Sequence, residues 1–154
     1  EICKSSDTTE ETLWIAVPPW NKTQLLEKCL DSISSQVNTG FGNIHIVVFE
    51  DYSIDMFTNE QKQKYRNNLQ ITYLANKGPE KHGSAYGKWK IFEYIRSVAL
   101  PHEYTLIIDG DDTLADVDTI SYIYKRLKQS KAWFAWGRHN GKYSEQCQSL
   151  RWNI

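Results

Sequence analysis

Apolar residues in this chain come in short unbroken runs, separated by stretches with a helical period. The first run is Leu13-Trp14-Ile15-Ala16-Val17, stopped by Pro18-Pro19. Ile44-His45-Ile46-Val47-Val48-Phe49, Ile71-Thr72-Tyr73-Leu74 and Tyr104 to Ile108 follow, and Ala132-Trp133-Phe134-Ala135-Trp136 closes the series before Gly137. Brief runs with little alternation fit strands buried on both faces, as in a parallel sheet. Between the first two runs, Leu25, Leu26, Cys29, Leu30 and Ile33 share one helical face, with Asn21 as N-cap, Gln24 three residues on, and Asn38-Thr39-Gly40 at the close. Thr58 to Asn68 reads as a polar surface helix. Ser84 opens a long helix with Ala85, Trp89, Phe92, Ile95 and Ala99 to one side and Pro101 as its stop. Asp116 to Gln129 predicts a further helix with Val117, Ile120, Tyr124 and Leu127 inward. Strand and helix alternate, which predicts an α/β fold with a doubly wound, mostly parallel sheet and helices on both faces. The organisation is a polar lead-in over 1–12, one domain over 13–137, and a polar tail over 138–154.

Composition changes this picture little. The 154 residues suffice for one domain with a real core, and 40% hydrophobic with 24% charged is ordinary for a globular protein. A net charge of -1 gives no global field toward nucleic acid or an anionic membrane, so no nucleic-acid partner is expected. No apolar run approaches the roughly 18 residues of a transmembrane segment. Cys3, Cys29 and Cys147 are far apart and odd in number, without zinc-ligand spacing. They favour a reducing compartment, and a cytoplasmic location is the expectation. Six Trp and nine Tyr are plentiful; most are expected in the core, while an excess of Trp also suits stacking on sugars or bases.

The candidate chemistry lies where the apolar runs end. In doubly wound sheets ligands bind beyond the C-terminal ends of the strands. Pro18 to Asn21 follows the first strand, Glu50-Asp51-Tyr52-Ser53-Ile54-Asp55 the second, and Asp109-Gly110-Asp111-Asp112 the fourth. Three segments thus converge on one rim. Clustered carboxylates at a strand tip repel one another and lose hydration, and a cation would offset both costs. Carboxylates are hard oxygen ligands suited to Mg²⁺ or Mn²⁺, which take one or two of them together with substrate phosphates. The plainer alternative is a solvated acidic turn that caps the next helix. Lys77, Lys81, His82 and Lys88 sit before or within the first turns of a helix, where phosphate is attracted.

These segments together resemble the GT-A fold glycosyltransferases of family 2. That family has a proline with a polar or aromatic residue after its first strand, a D-D-x-S-x-D segment after its second, and a D-x-D-D segment after its fourth. The resemblance covers Leu13 to about Gly137. It implies transfer of a sugar from a nucleotide-diphosphate donor, most often a UDP-sugar, to a hydroxyl acceptor on a glycan, lipid or protein, usually with inversion. It implies Mn²⁺ or Mg²⁺ held by Asp111 with Asp109 beside it, and Asp109 near the ribose. Asp51 would bind the base, with Glu50 in place of the commoner first Asp. Pro18 and Trp20 would border base and ribose, Asp112 would help the metal or the donor sugar, and Lys88 would lie near the nucleotide. His82-Gly83-Ser84-Ala85 matches the family's Gly-x-x-x-Ala-Arg-Asn run only loosely. The family's catalytic base is an acidic residue well downstream. Glu145 is the sole carboxylate after Asp118 and lacks that motif's surroundings. The base is therefore unassigned, and the acceptor side is expected to lie outside this chain or in its tail.

Two other functions use the same residues. Asp109-Gly110-Asp111-Asp112-Thr113-Leu114 fits the D-x-D-x-T-L motif of haloacid dehalogenase-like phosphatases, with Asp109 as nucleophile and Asp111 as acid/base. That motif usually closes the first strand and needs a later acidic pair. A non-catalytic nucleotide-sugar-binding module, or a fragment, accounts equally for a missing base. A calcium EF-hand loop is excluded, because its sixth position is Leu114 and its twelfth Ile120.

Overall fold

A computed structural model describes residues 11–18, 23–52, 55–76, 78–130, 134–136 and 148–151. The elements run β1 (Thr12–Val17), α1 (Thr23–Ser34), β2 (Asn43–Glu50), α2 (Asn59–Arg66), β3 (Gln70–Ala75), α3 (Ser84–Val98), β4 (Tyr104–Ile107), α4 (Thr119–Ser130), β5 (Phe134–Trp136) and β6 (Gln148–Arg151). Six strands form one sheet in the order β3-β2-β1-β4-β6-β5. The first four are parallel, with Ile15 opposite both Ile46 and Leu106. From β1 the chain builds outward through β2 and β3, then returns to place β4 on the other flank. The junction of β1 and β4 is therefore the topological switch point, where such sheets open a crevice.

The near-continuous apolar runs fold this way because alternate residues face two different cores. Leu13, Ile15, Val17, Ile46, Val48 and Leu106 pack with Leu26, Cys29, Leu30 and Ile33 of α1, Tyr65 of α2, and Ile120 and Leu127 of α4. Trp14, Ala16, Val47, Phe49 and Ile107 pack with Ile91 and Ile95 of α3 on the opposite face. Each fully buried Leu or Ile contributes about 1.5–3 kcal/mol, so burial on both faces makes β1 the central strand.

Three expectations need correction. The inward face of α3 is Gly87, Ile91 and Ile95, whereas Trp89 is 54% exposed and Ala85 is exposed. A Cβ on Gly87 would lie 3.0 Å from the Phe49 ring, so the missing side chain sets the closest approach of helix to sheet and turns Trp89 outward. Second, α4 begins at Thr119, because Thr119 closes a turn on Asp116 through its N–H and hydroxyl, leaving Val117 54% exposed before the helix. Third, β5 does not extend the parallel series. It pairs antiparallel with β6, and β6 pairs antiparallel with β4. Gln148–Arg151, in the tail whose structure the sequence left open, is thus a strand beside β4. The proposed Asn21 cap, the start of the fifth run at Ala132-Trp133, and Cys3 and Cys147 lie outside the described residues. Cys29 is buried and free. No helix among the described residues is long and apolar enough to cross a membrane.

One buried carboxylate fastens the end of the sheet away from the rim. Glu103 is 5% exposed, and its Oε2 accepts from the Trp14 indole N–H at 2.8 Å and the Leu100 N–H at 2.9 Å. Burial alone would raise its carboxyl, but the bonds from Trp14, Leu100 and Thr12 and the charge of His102 outweigh it and hold the group below its ordinary value. Glu103→Ala takes the acceptor from the Trp14, Leu100 and Thr12 donors and is expected to lower the unfolding free energy by about 2–3 kcal/mol, read by urea denaturation. Because the folded value lies below the unfolded one, Glu103's contribution is full above about pH 4.3 and is lost as pH falls through the folded value. The wild type should therefore lose stability in acid more steeply than Glu103→Gln.

Candidate functional site

The rim is assembled by main-chain pairing that continues past the strand ends. Ile108 N–H donates to Ala16 O at 3.0 Å, and Gly110 N–H to Pro18 O at 3.2 Å. These bonds draw the segment after β4 against the one after β1. On the other side Asn76 N–H donates to Glu50 O at 2.9 Å, which joins the tips of β2 and β3. The segment beyond the acidic tip is tied to α1, since Leu114 N–H donates to Ser32 Oγ at 3.1 Å and the Gln36 side chain bonds both Asp116 O and Ile120 N–H.

At the tip of β4, Asp109 O accepts the Asp112 N–H at 2.8 Å and closes a tight turn over Gly110 and Asp111. Gly110 is buried, Asp109 and Asp112 are half-buried, and Asp111 is exposed. Lys88 reaches across from α3, its Nζ 3.0 Å from Asp109 Oδ1. Beneath the turn lies Cys29, with Sγ 4.0 Å from Asp109 O. Burial first, then the charges of Asp112, Asp111 and Asp109, push its thiol up to about 12. It stays protonated at neutral pH and serves as a small apolar side chain, not a ligand or nucleophile.

The acids at the tip of β2 have three different placements. Glu50 is 4% exposed and points into the core beside α2, ion-paired with Lys62 and accepting the Phe57 N–H at 3.0 Å. Strand alternation gives the reason, because Glu50 shares a face with Ile46 and Val48. Asp51 stands at the rim with both oxygens engaged. Oδ1 accepts from Tyr52 N–H at 2.9 Å and Asn76 Nδ2 at 3.0 Å, and Oδ2 from His82 N–H at 2.8 Å and Gly83 N–H at 2.7 Å. Burial alone would raise this carboxyl, but the bonds from Asn76, Gly83, His82 and Tyr52 prevail and hold it below its ordinary value. Gly83, the N-cap of α3, has φ 85, a left-handed conformation that glycine adopts without a Cβ penalty. Asp55 turns back to α1, accepting from Thr23 N–H at 3.1 Å and Thr23 Oγ1 at 3.0 Å.

Pro18, Asp51, Lys88, Asp109, Asp111 and Asp112 thus lie along one rim, and Glu50 lies beneath it. Trp20, Ser53, Ile54, Lys77 and Glu145 lie outside the described residues. The sequence reading missed Asn76, whose amide spans Asp51 and Glu80 O while its Oδ1 accepts the Gly78 N–H. An Asn ahead of Gly78-Pro79 was the available signal, since Asn side chains organise such turns. Lys62 was missed as well, because a lysine in a polar helix gives no sign of the buried acid it meets.

Among the described residues no three His, Cys, Asp or Glu side chains gather closely enough to hold a metal ion. The donors at the β4 tip are nevertheless all carboxylate oxygens, which suit Mg²⁺ or Mn²⁺ and match the one or two protein ligands such ions take beside phosphate. The residues fit a cation whose coordination a bound diphosphate would complete.

Comparison with known proteins agrees with this architecture. Residues 11–143 match the family described as glycosyltransferase like family 2. No curated protein matches the chain in sequence. Among solved structures, S. aureus TarS 1–349 superposes with a TM-score of 0.68 at 19% identity, covering 88% of this chain and 38% of that one. The same protein in complex with UDP-GlcNAc gives 0.67 at 18% identity, covering 91% and 45%. The mannosyltransferase PcManGT from Pyrobaculum calidifontis, in complex with GDP-Man and Mn²⁺, gives 0.65 at 16% identity, covering 90% and 44%. The chain therefore spans less than half the length of these structures. With the parallel β3-β2-β1-β4 sheet and the family match over most of its length, this chain belongs to glycosyltransferase like family 2 and has the GT-A fold.

Proposed function

We propose that this chain carries the donor-binding part of a metal-dependent, inverting glycosyltransferase that moves a sugar from a nucleotide-diphosphate donor, a UDP-sugar in preference, to a hydroxyl acceptor. The observation that carries this reading is that α3 reaches both acidic tips, Asp51 through the His82 and Gly83 N–H groups at its start and Asp109 through Lys88. Family membership supports it, as do the complexes of TarS with UDP-GlcNAc and of PcManGT with GDP-Man and Mn²⁺.

In this reading Asp51 accepts a hydrogen bond from a base N–H. Its four acceptor sites are already in use, so the base takes the place of one backbone donor and loosens the segment over His82 and Gly83. Pro18 and Trp20 border base and ribose, and Asp109 lies toward the ribose. Asp111 and Asp109 hold Mn²⁺ or Mg²⁺, with Asp112 oriented to the metal or the donor sugar. When bound, the metal supplies Lewis-acid neutralisation of the departing diphosphate. Lys88 adds a point charge for the same oxygens. Glu50 fixes where Asp51 stands, through its bond to Phe57 and its pairing with Lys62. The acceptor hydroxyl gives its proton to a base as it attacks the anomeric carbon, and that base belongs to the acceptor side.

Calorimetric titration of UDP and GDP, with and without Mn²⁺, tests the reading. UDP should bind measurably with Mn²⁺ and at least tenfold more weakly without it. Asp111→Ala should abolish the metal's effect. Failure of both nucleotides to bind, or binding indifferent to metal and to Asp111→Ala, would falsify the proposal. A module that only binds would show the same titration yet never release free nucleoside diphosphate from a UDP-sugar.

Asp51→Asn tests the base contact separately. The amide keeps the shape but loses the charge and part of the acceptor capacity. UDP affinity in Mn²⁺ should fall about tenfold, a loss of about 1.4 kcal/mol. Unchanged affinity would remove Asp51 from the site.

A further inference from the structure

We infer that Lys88 is the resident counter-cation of the site: it holds Asp109 while the donor is absent and passes to the diphosphate when a divalent ion takes Asp109. This inference rests on the donor-binding reading above and adds an exchange of charge to it.

The ammonium stands 3.0 Å from Asp109 Oδ1, so a carboxylate expected to meet the metal already has a cation beside it. The two side chains are 22% and 26% exposed, but Asp109 Oδ1 itself is shut off from water and accepts no hydrogen bond, so the ammonium holds it by charge alone. A buried carboxylate oxygen compensated only by a neighbouring charge is one that a divalent ion can satisfy better. The backbone that carries Lys88 is well fixed. Gly87, one residue earlier, sits against Phe49. Farther along α3, Ile91 and Ile95 are fully buried in the core on that face of the sheet. Lys88 can therefore change its partner through its flexible stem alone, with no displacement of the helix.

A divalent ion approaching without nucleotide meets Asp109 already neutralised and a positive charge nearby. Two or three protein carboxylates are then too few to replace its hydration shell. A diphosphate arriving with the ion changes the balance, because its oxygens attract the ammonium and complete the metal's coordination. Lys88 so makes metal binding conditional on the donor, which accords with the lack of any three-ligand cluster among the described residues.

The test is a pair of affinities measured on the full chain. Mn²⁺ alone is titrated by the electron paramagnetic resonance signal of the free ion, and UDP by calorimetry at saturating Mn²⁺. Lys88→Met and Lys88→Gln should each bind Mn²⁺ alone about fivefold more tightly than wild type, and UDP with Mn²⁺ about tenfold more weakly. Lys88→Arg, which keeps the charge, should stay within about twofold of wild type for Mn²⁺ alone. Opposite movement of the two affinities supports the exchange, since a merely structural lysine would weaken both. Unchanged or weaker binding of Mn²⁺ alone in both neutral variants overturns it, as does unchanged UDP affinity. If wild type binds neither UDP nor GDP with Mn²⁺, the donor reading fails and takes this inference with it. If wild type binds nucleotide but the crossed response is missing, the inference fails alone.

Discussion

Main-chain pairing beyond the strand ends is the constraint on which the rest of this structure depends. The bonds from Ile108 to Ala16 and from Gly110 to Pro18 carry the β1–β4 ladder into the turn that bears the acids. Without them, the acidic turn and the proline segment would be separate loops, each free to follow solvent. With them, the turn's position follows from the register of β1 and β4, and that register is set by side chains fully buried on both faces of the sheet. A one-residue slip would carry Leu13, Ile15 and Val17 to the opposite core. The geometry of the rim is thus inherited from the core.

Carboxylates gather at this rim, and each is compensated differently. Glu50 is buried and relies on Lys62 and a backbone N–H. Asp51 relies on neutral donors, which favour its ionised form without adding charge. Asp55 sits at the positive end of α1 through Thr23. Asp109 is paired with the Lys88 ammonium through an oxygen that is shut off from water, and only its neighbour Asp111 in the turn is exposed.

Much of this was legible in the chain. The runs at Leu13, Ile44 and Tyr104 became β1, β2 and β4 because strands buried on both faces leave a near-continuous apolar signature, and the run at Ile71 became the half-buried edge strand β3. The acids were placed at strand tips correctly for the same reason. Other features have no such signature. β6 is Gln-Ser-Leu-Arg in sequence, and its strand conformation comes from partners on either side. The inward face of α3 was misread because Trp89 outweighs a glycine in any hydrophobic pattern, whereas close packing on Phe49 favours the glycine. The placement of Glu50 was available from the period of two through Ile46 and Val48, but an acid at the end of an apolar strand reads more readily as exposed. The general base stayed illegible because no residue after Asp118 carries the surroundings that would mark it.

The central claim is that the rim at the β1–β4 junction receives the nucleotide. Amide chemical-shift mapping on the isotopically labelled chain with UDP and Mg²⁺, a diamagnetic ion, addresses it most directly. The account predicts that the largest shifts fall on Asp51, His82, Gly83, Lys88, Gly110 and Asp111, with Leu74, Tyr94 and Ser97, which line the cleft between β3 and α3, left near their free positions. Shifts centred on that cleft, or a rim that does not respond while nucleotide binds elsewhere, would contradict it.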